Sequence, residues 1–416
     1  MTASSSATGF EIRPIGAEEL PAYAQVPAAA FAQDMTPERL RDWAEGFEFE
    51  RSLAAFDGDR IVGTGGADSL ELTLPGGVVI PVGGLTAIAV LPTHRRRGIL
   101  RAIIERHFQD CEARGEAVSA LLASESVIYG RFGYGPATDA TNLEIDPRHG
   151  AFRQPPPTAG RVRLLDSAEA AKLLPDLHER HRRARPGEVS RKPSWWTVYE
   201  RDPEYHREGF TRHFDAVYEP EPGQVDGWAS YRLRHHWADG LPAYTARVSS
   251  LYALSAEAEA ALLRYCLDLD LVATVQFEAR PVDEPLRWLL ADPRRLRVTA
   301  SGDFLWVRLL DLPSALAARR YSARDALVIE VRDPLRPRNQ GRFRLEGGPD
   351  GAACQPTRAA PDLALDIAEL GAAYLGGTRF TTLARASRVA ELTPGALLRA
   401  DAMFTSNPVP WCTTDF

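Results

Sequence analysis

Residues 83–135, GGLTAIAVLPTHRRRGILRAIIERHFQDCEARGEAVSALLASESVIYGRFGYG, constrain the fold of this chain more than any other stretch. Leu85 to Leu91 is a short, nearly continuous apolar run containing Thr, Ile and Val, the pattern of a strand buried on both faces. A tight basic loop, Pro92 to Arg97, leads through Gly98 into a segment whose apolar spacing runs from Ile99 to Cys111. That spacing predicts a helix of roughly three to four turns. Ala117 to Ala123 repeats the buried-strand pattern. The stretch thus reads as strand, cationic loop, helix and strand.

The first turn of a helix leaves N–H groups unpaired and directed along the helix dipole, and the arginines add full positive charge. Such a helix start is an anion site. Gly98 lets the backbone of a ligand-binding turn come close. The spacing is neither the GxGxxG of a dinucleotide site nor the GxxxxGK[ST] of a P-loop. An arginine-rich helix start with no ligand is the alternative reading. Downstream, the Gly-aromatic segment Ile128 to Pro136 either packs its rings into the core as a tight turn or supplies a tyrosine hydroxyl for proton transfer.

Arg95-x-x-Gly98-x-Leu100 resembles the Arg/Gln-x-x-Gly-x-Gly/Ala pyrophosphate loop of the GNAT acetyltransferases, departing from it at the last position, where Leu100 replaces a small residue. Together, HRRRGILRA and ASESVIYGRFGYGPAT resemble the enhanced intracellular survival (Eis) family of actinobacterial amine acetyltransferases, and the resemblance extends over nearly the whole chain. It implies an α/β (α+β) fold of two tandem GNAT-type domains followed by a sterol carrier protein-like domain. It also implies acetyl-CoA as cosubstrate, with pantetheine amides pairing to the backbone of Ile88, Ala89 and Val90. The pyrophosphate would lie at Arg96, Arg97, Gly98, Ile99, Leu100 and Arg101, and Ser124 and Glu125 would complete the cofactor side. Tyr129 would protonate the departing thiolate.

At 416 residues the chain exceeds one ordinary core. The expected boundaries are 1–152 for a catalytic GNAT domain, 161–296 for a second one lacking the CoA loop, and 297–416 for the sterol carrier-like domain. The linker Arg153 to Gly160 is set by its prolines. Hydrophobic content of 44% and charged content of 25% are those of a soluble protein, and no apolar run is long enough to span a bilayer. Met1 to Gly9 is a polar tail without a signal-peptide pattern, so a cytoplasmic protein without a membrane partner is expected. A net charge of −7 argues against nucleic acid and for a cationic small molecule. Four scattered cysteines with no CxxC argue against a metal site and a disulfide framework.

Ahead of the central stretch, Phe10 to Ile15 reads as a strand, and Glu18 to Phe31 and Pro37 to Phe47 read as helices. Asp34 is either a helix N-cap or part of an acidic pocket wall, and Trp43 is either core or an aromatic pocket wall. Arg60 to Ser69, Leu70 to Leu74 and Val78 to Val82 read as successive strands. After the linker, strand, helix (Ser167 to Arg183), helix (Ser194 to Tyr199), strands, helix (Ala256 to Leu267) and strand (Leu271 to Phe277) echo the first domain. There the helix start carries Glu257 and Glu259, which would repel a pyrophosphate. His178 and His181, one turn apart, and His235-His236 read as surface histidines rather than metal ligands, and Arg180 to Lys192 reads as a solvated basic connection. The third unit is expected to begin near Arg297, with a strand at Asp303 to Leu309 and later helices at Ala368 to Leu375 and Leu383 to Ala386.

The chain ends Trp411-Cys-Thr-Thr-Asp-Phe416, an aromatic and acidic terminus that suggests docking where ends are usually frayed. The resemblance implies that the free carboxylate of Phe416 is the catalytic base and that Asp415 helps bind the amine. The implied function is acetyl transfer from acetyl-CoA to a primary amine of a cationic small molecule, of aminoglycoside or polyamine type, hence antibiotic resistance. A protein lysine acetyltransferase and a non-catalytic acyl-CoA or lipid-binding scaffold are the alternatives. The resemblance further implies a homohexamer.

Overall fold

The computed structural model describes residues 9–155 and 159–416. Residues 1–8 of the expected polar tail and 156–158 of the expected linker lie outside the described residues. The chain divides into two compact units, one comprising residues up to Thr138 with Phe304–Ser406 and Asp415–Phe416, the other Asp139–Asp303 with Asn407–Thr414.

In the first unit a seven-stranded sheet runs β1 (Glu11–Pro14), β2 (Leu53–Asp57), β3 (Arg60–Thr73), β4 (Val79–Val90), β5 (Val118–Leu122), then the strand Leu305–Leu309 and the short strand Gly135–Pro136. Helices α1 (Leu20–Ala30) and α2 (Pro37–Ala44) precede β2. β3 and β4 are each one long strand where two shorter ones were expected on either side of the Pro75-Gly76-Gly77 turn. Their antiparallel register is continuous from Thr73 opposite Val79 to Gly63 opposite Val90, broken only by a bulge near Ala87. Cross-strand pairing of that length outweighs the local irregularities that divide the pattern in sequence. β4 and β5 are parallel and joined by helix α3 (Ile99–Ala113), which buries Ile99, Ile103, Ile104, His107, Phe108 and Cys111. Full burial of each large apolar side chain on that face stabilises by about 1.5–3 kcal/mol.

The C-terminal domain belongs to the same unit. Its five-stranded sheet runs Gly351–Pro356, Gly341–Gly348, Asp325–Arg332, Leu363–Asp366, Val389–Glu391, with helices Leu312–Ala318, Ile367–Ala373, Phe380–Arg385 and Ala396–Phe404. The last helix and both edge strands were not foreseen: Thr393-Pro-Gly395 reads as a turn, and Gly395, at φ 85°, starts a helix there. Arg319 is fully buried and has no carboxylate partner among the described residues. Its guanidinium donates to the carbonyls of Tyr374 and Phe404, at the C-terminal ends of two helices, and lies between the Tyr321 and Phe404 rings. Helix C-termini carry partial negative charge, and the ring faces add to it, so the cation is compensated by dipoles. Segment 297–309, expected to open the third unit, is shared out by long-range pairing. Leu305–Leu309 hydrogen-bonds to β5 in the first sheet, and Arg297–Asp303 pairs with Asp139–Ile145 in the second unit. Arg308, on the inserted strand, is buried against Asp333 at 2.7 Å.

In the second unit the sheet order is Arg297–Asp303, Asp139–Ile145, Val272–Arg280, Tyr244–Ala253, Gly227–Arg234, Phe214–Glu219, Arg161–Leu164. Tyr244–Ala253 and Val272–Arg280 are parallel, and a helix (Ala256–Leu267) crosses between them, repeating the β4–α3–β5 unit. Two further helices, Ser167–Ala184 and Pro193–Arg201, complete the unit. The histidines of the first of these correct the surface reading, since His178 is 2% and His181 6% exposed. They fall on the apolar side of an amphipathic helix with Ala170, Leu174 and Leu177. Burial drives both imidazoles toward the neutral form, His181 to a pKa of about 3. His235 and His236 are exposed. The stretch 180–192 is not a solvated connection either. Arg182 is buried and bonds Glu179 at 2.5 Å, and Pro186 to Val189 are buried.

Candidate active site

Helix α3 begins at Ile99, and its first intrahelical bond is donated by Ala102 to the Gly98 carbonyl. The amides of Ile99, Leu100 and Arg101 are therefore free of helical partners. Gly98 has φ 84° and Arg96 φ 63°, so two residues of the turn are left-handed. The four arginines differ in availability. Arg95 Nε approaches the Val90 carbonyl at 3.4 Å, Arg97 lies over the Phe10 ring at 4.5 Å, and Arg101 pairs with Glu105 at 2.8 Å. Arg96 is exposed and has no partner among the described residues.

β4 and β5 pair only from Gly83–Ser119 to Leu85–Leu121. Beyond Leu85 the β5-facing edge of β4, which includes Ile88 and Val90, has no ladder among the described residues, while β3 pairs along the other edge. The bulge at Ala87, φ 52°, is tied by a 2.8 Å bond from the Thr64 hydroxyl to the Ala87 carbonyl. A splayed strand end beside a helix N-terminus fits a ligand with amides along its body and a pyrophosphate at its head.

After β5, Ser124 and Glu125 are exposed, and the short helix α4 (Ser126–Tyr129) brings Tyr129 back into the core with Leu85, Phe108, Leu121 and Tyr134. Its ring meets Tyr134 edge-on at 6.1 Å. Burial, and to a lesser degree the Glu125 charge, pushes the Tyr129 hydroxyl up to about 12. It is thus a proton donor throughout neutral pH, and its oxygen has no hydrogen-bond partner among the described residues. The glycines that follow answer to packing. A side chain at Gly135 would strike the Ala368 carbonyl of the C-terminal domain's helix.

The terminus reaches the same sheet. A Cβ at Gly84 on β4 would stand 2.9 Å from the Phe416 ring, so this glycine is the seat of the last side chain. The terminal carboxylate has no ion-pair partner among the described residues. Burial against the protein raises the Asp415 pKa, partly offset by the bond its carboxyl accepts from the Phe416 amide, although the residue keeps an exposed surface. Upstream, Trp43 is half-buried in an aromatic group with Tyr23 at 6.0 Å and Phe47 at 5.8 Å. Asp34 is exposed in the loop before α2. The N-cap of that helix is Thr36, whose hydroxyl accepts from the Arg39 amide at 3.2 Å, so the capping role falls to another residue. Gly84 escaped the sequence reading; the paired glycines inside an apolar strand were its signal.

Cys111 is buried beside Arg51, Glu116 and His107, which holds its thiol protonated. Among the described residues no group of His, Cys, Asp and Glu could hold a metal ion, and no helix is long and apolar enough to cross a membrane.

These features are those of a GNAT acetyltransferase, an enzyme class that uses acetyl-CoA. A family described as "Acetyltransferase (GNAT) domain" matches residues 11–137, a second GNAT family matches 187–309, and a "Sterol carrier protein domain" matches 312–413. An N-acetyltransferase Eis from Mycobacterium tuberculosis is 36% identical over 405 residues, 94% of this chain and 95% of that one. An uncharacterized N-acetyltransferase from Streptomyces avermitilis is 38% identical over 413 residues, covering 98% and 99%. The crystal structure of Eis1 from Mycobacterium abscessus superposes with a TM-score of 0.86 at 36% identity, covering 97% of this chain and 100% of that one. The chain belongs to the Eis family of N-acetyltransferases, with two GNAT domains and a sterol carrier-like domain.

Proposed function

We propose that this enzyme transfers the acetyl group of acetyl-CoA to a primary amine of a cationic small molecule, of aminoglycoside or polyamine type, in one ternary complex. The observation that carries the reading is the terminal residue, whose ring rests on Gly84 of the CoA strand and whose carboxylate has no counter-ion among the described residues. An aliphatic ammonium has a pKa near ~10 and must lose a proton before it can attack a thioester. The Phe416 carboxylate takes that proton, directly or through one water. Asp415 and Asp34 attract the cationic substrate, and Trp43 contributes an aromatic wall.

Acetyl-CoA supplies the acylating thioester. Ile88, Ala89 and Val90 offer backbone groups to the pantetheine arm; Gly98, Ile99, Leu100 and Arg101 offer amides to the pyrophosphate, with Arg96 and Arg97 as its cations; Ser124 and Glu125 flank the arm. Tyr129 donates its proton to the departing thiolate. No metal enters the scheme. The family's homohexamer belongs to the same proposal, and analytical ultracentrifugation of the full chain tests it.

The experiment is thiol release from acetyl-CoA with kanamycin, spermidine and a lysine peptide, run on the natural chain and on a chain carrying one additional alanine after Phe416. Turnover with the first two acceptors, abolished by the extension in a protein that still melts at the same temperature, is the expected result. Full activity of the extended chain refutes the terminal base, and turnover of the peptide alone moves the acceptor to protein lysines.

A further inference from the structure

The second unit holds a cavity of about 380 Å³ that the acetyl-transfer reading does not use. That volume is within the range of small-molecule sites. Its lining comes largely from helices Ser167–Ala184 and Pro193–Arg201 and includes Ala170, Pro175, Trp196 and Tyr199.

The polar groups of its floor sort by whether they are already spent. Tyr199 bonds Asp215 at 2.5 Å and Ser230 at 2.7 Å, and both ring nitrogens of His213 are engaged, by Asp215 and the Tyr199 carbonyl. Glu179 is paired with Arg182 and Arg183. Arg191 differs. Its Nε donates to the Thr414 hydroxyl at 3.0 Å and its Nη2 to the Tyr252 and Thr413 hydroxyls at 2.6 and 3.4 Å. All its acceptors are neutral, it has no carboxylate partner among the described residues, and its Nη1 is unpartnered. It lies 5.2 Å from the Trp196 ring centroid.

His178, 98% buried, lines the same cavity. Thr414 accepts from Arg191 and has one hydrogen left, with His178 Nε2 at 3.5 Å. His178 Nδ1 has no partner among the described residues and faces a ligand as donor in the tautomer in which Nε2 accepts from Thr414. Neither Nδ1 nor Arg191 Nη1 is sealed from solvent-accessible space. The unused donor of the floor is therefore Arg191 Nη1, under apolar and aromatic walls, on a guanidinium linked to the buried Glu188 carboxylate through the Thr413 hydroxyl, which donates to Glu188 at 2.7 Å.

We infer that this cavity is a second ligand site, separate from the acetyl-transfer chemistry, that binds a small carboxylate with a planar apolar body. The carboxylate meets Arg191 and the His178 N–H, and the body lies between Trp196 and the Ala170–Pro175 wall. The exposed Glu200 at the rim is a like charge that weakens the site.

The test is isothermal titration calorimetry on the full chain with sodium benzoate, benzylamine and benzyl alcohol, with CoA present in excess so that the anion site at α3 is filled. Benzoate should bind one per chain and the two isosteres at least tenfold more weakly. Arg191→Met should weaken benzoate about tenfold, the scale of a lost charge-assisted pair. Glu200→Gln, an exposed substitution that keeps the fold, should tighten it about twofold by removing a nearby like charge. Absence of benzoate binding overturns the site. So does benzylamine binding as tightly as benzoate, or a Glu200→Gln chain that binds benzoate more weakly.

Discussion

The two GNAT units run the same strand, helix and parallel strand to opposite electrostatic ends. In the first, Gly98 at φ 84° opens α3, Arg96 is exposed beside it, and three amides point out of the first turn. In the second, Ser255 caps the helix Ala256–Leu267, its hydroxyl accepting from the Ala258 amide at 3.1 Å. Glu257 there accepts from the Tyr218 hydroxyl, and Glu259 lies 3.1 Å from Arg280. A helix start that has its cap and carries carboxylates has no remaining affinity for a phosphate. The proposed CoA site therefore falls on the first unit, and the two helix starts differ in the charge they offer a phosphate.

The largest expected effects fall on the first unit alone. Appending one residue after Phe416 should lower kcat by about a thousandfold, and Tyr129→Phe by about a hundredfold, both within the span of a lost general base or acid. Steady-state thiol release measures them, and CoA affinity should change little in either. Because the Tyr129 pKa is about 12, no alkaline loss of activity should arise from its ionisation below pH 10; a Tyr129-dependent fall near pH 8 would contradict its assignment as donor. Arg96→Glu should weaken CoA about tenfold, and CoA titration should give one site per chain. A second equivalent site would break the contrast between the helix starts.

Acid sharpens the comparison in stability. His107 in the first unit and His181 in the second have folded pKa values of about 3, below the unfolded value near 6.5, and His178 is lowered by the same burial. The unfolded chain therefore takes up protons first as the pH falls, and stability is lost progressively below pH 6.5. For a folded pKa near 3 the loss is about 2 kcal/mol per histidine between pH 7 and 5. With two such residues against one, hydrogen exchange should show the second unit losing more protection. The smallest effect is at the cap: Ser255→Ala should cost about 1 kcal/mol by thermal melting, with acetyl transfer unchanged.

The strand, loop and helix of the proposed cofactor half were legible because their signals are local. A strand pattern, an arginine loop, Gly98 and a helical spacing lie within one crossover, and Tyr129 follows on the next turn. The proposed acceptor half rests on family resemblance, since Phe416 is hundreds of residues from Asp34 and Trp43 and no local spacing joins them. His178 and His181 were misjudged because polarity was read without the helix face they share with Leu174 and Leu177. Arg182, buried on that helix, was misread in the same way.

By itself the sequence determined most element types, the repeated strand–helix–strand order and the contrast in charge between the two helix starts, because periodicity, capping and charge act over a few residues. The tertiary structure alone decided that Leu305–Leu309 joins the first sheet, that Gly84 seats Phe416, and that Arg191 is held by the hydroxyls of Thr413, Thr414 and Tyr252. Those outcomes depend on which distant surfaces bury one another, a choice made by summed packing and hydrogen bonding across the fold.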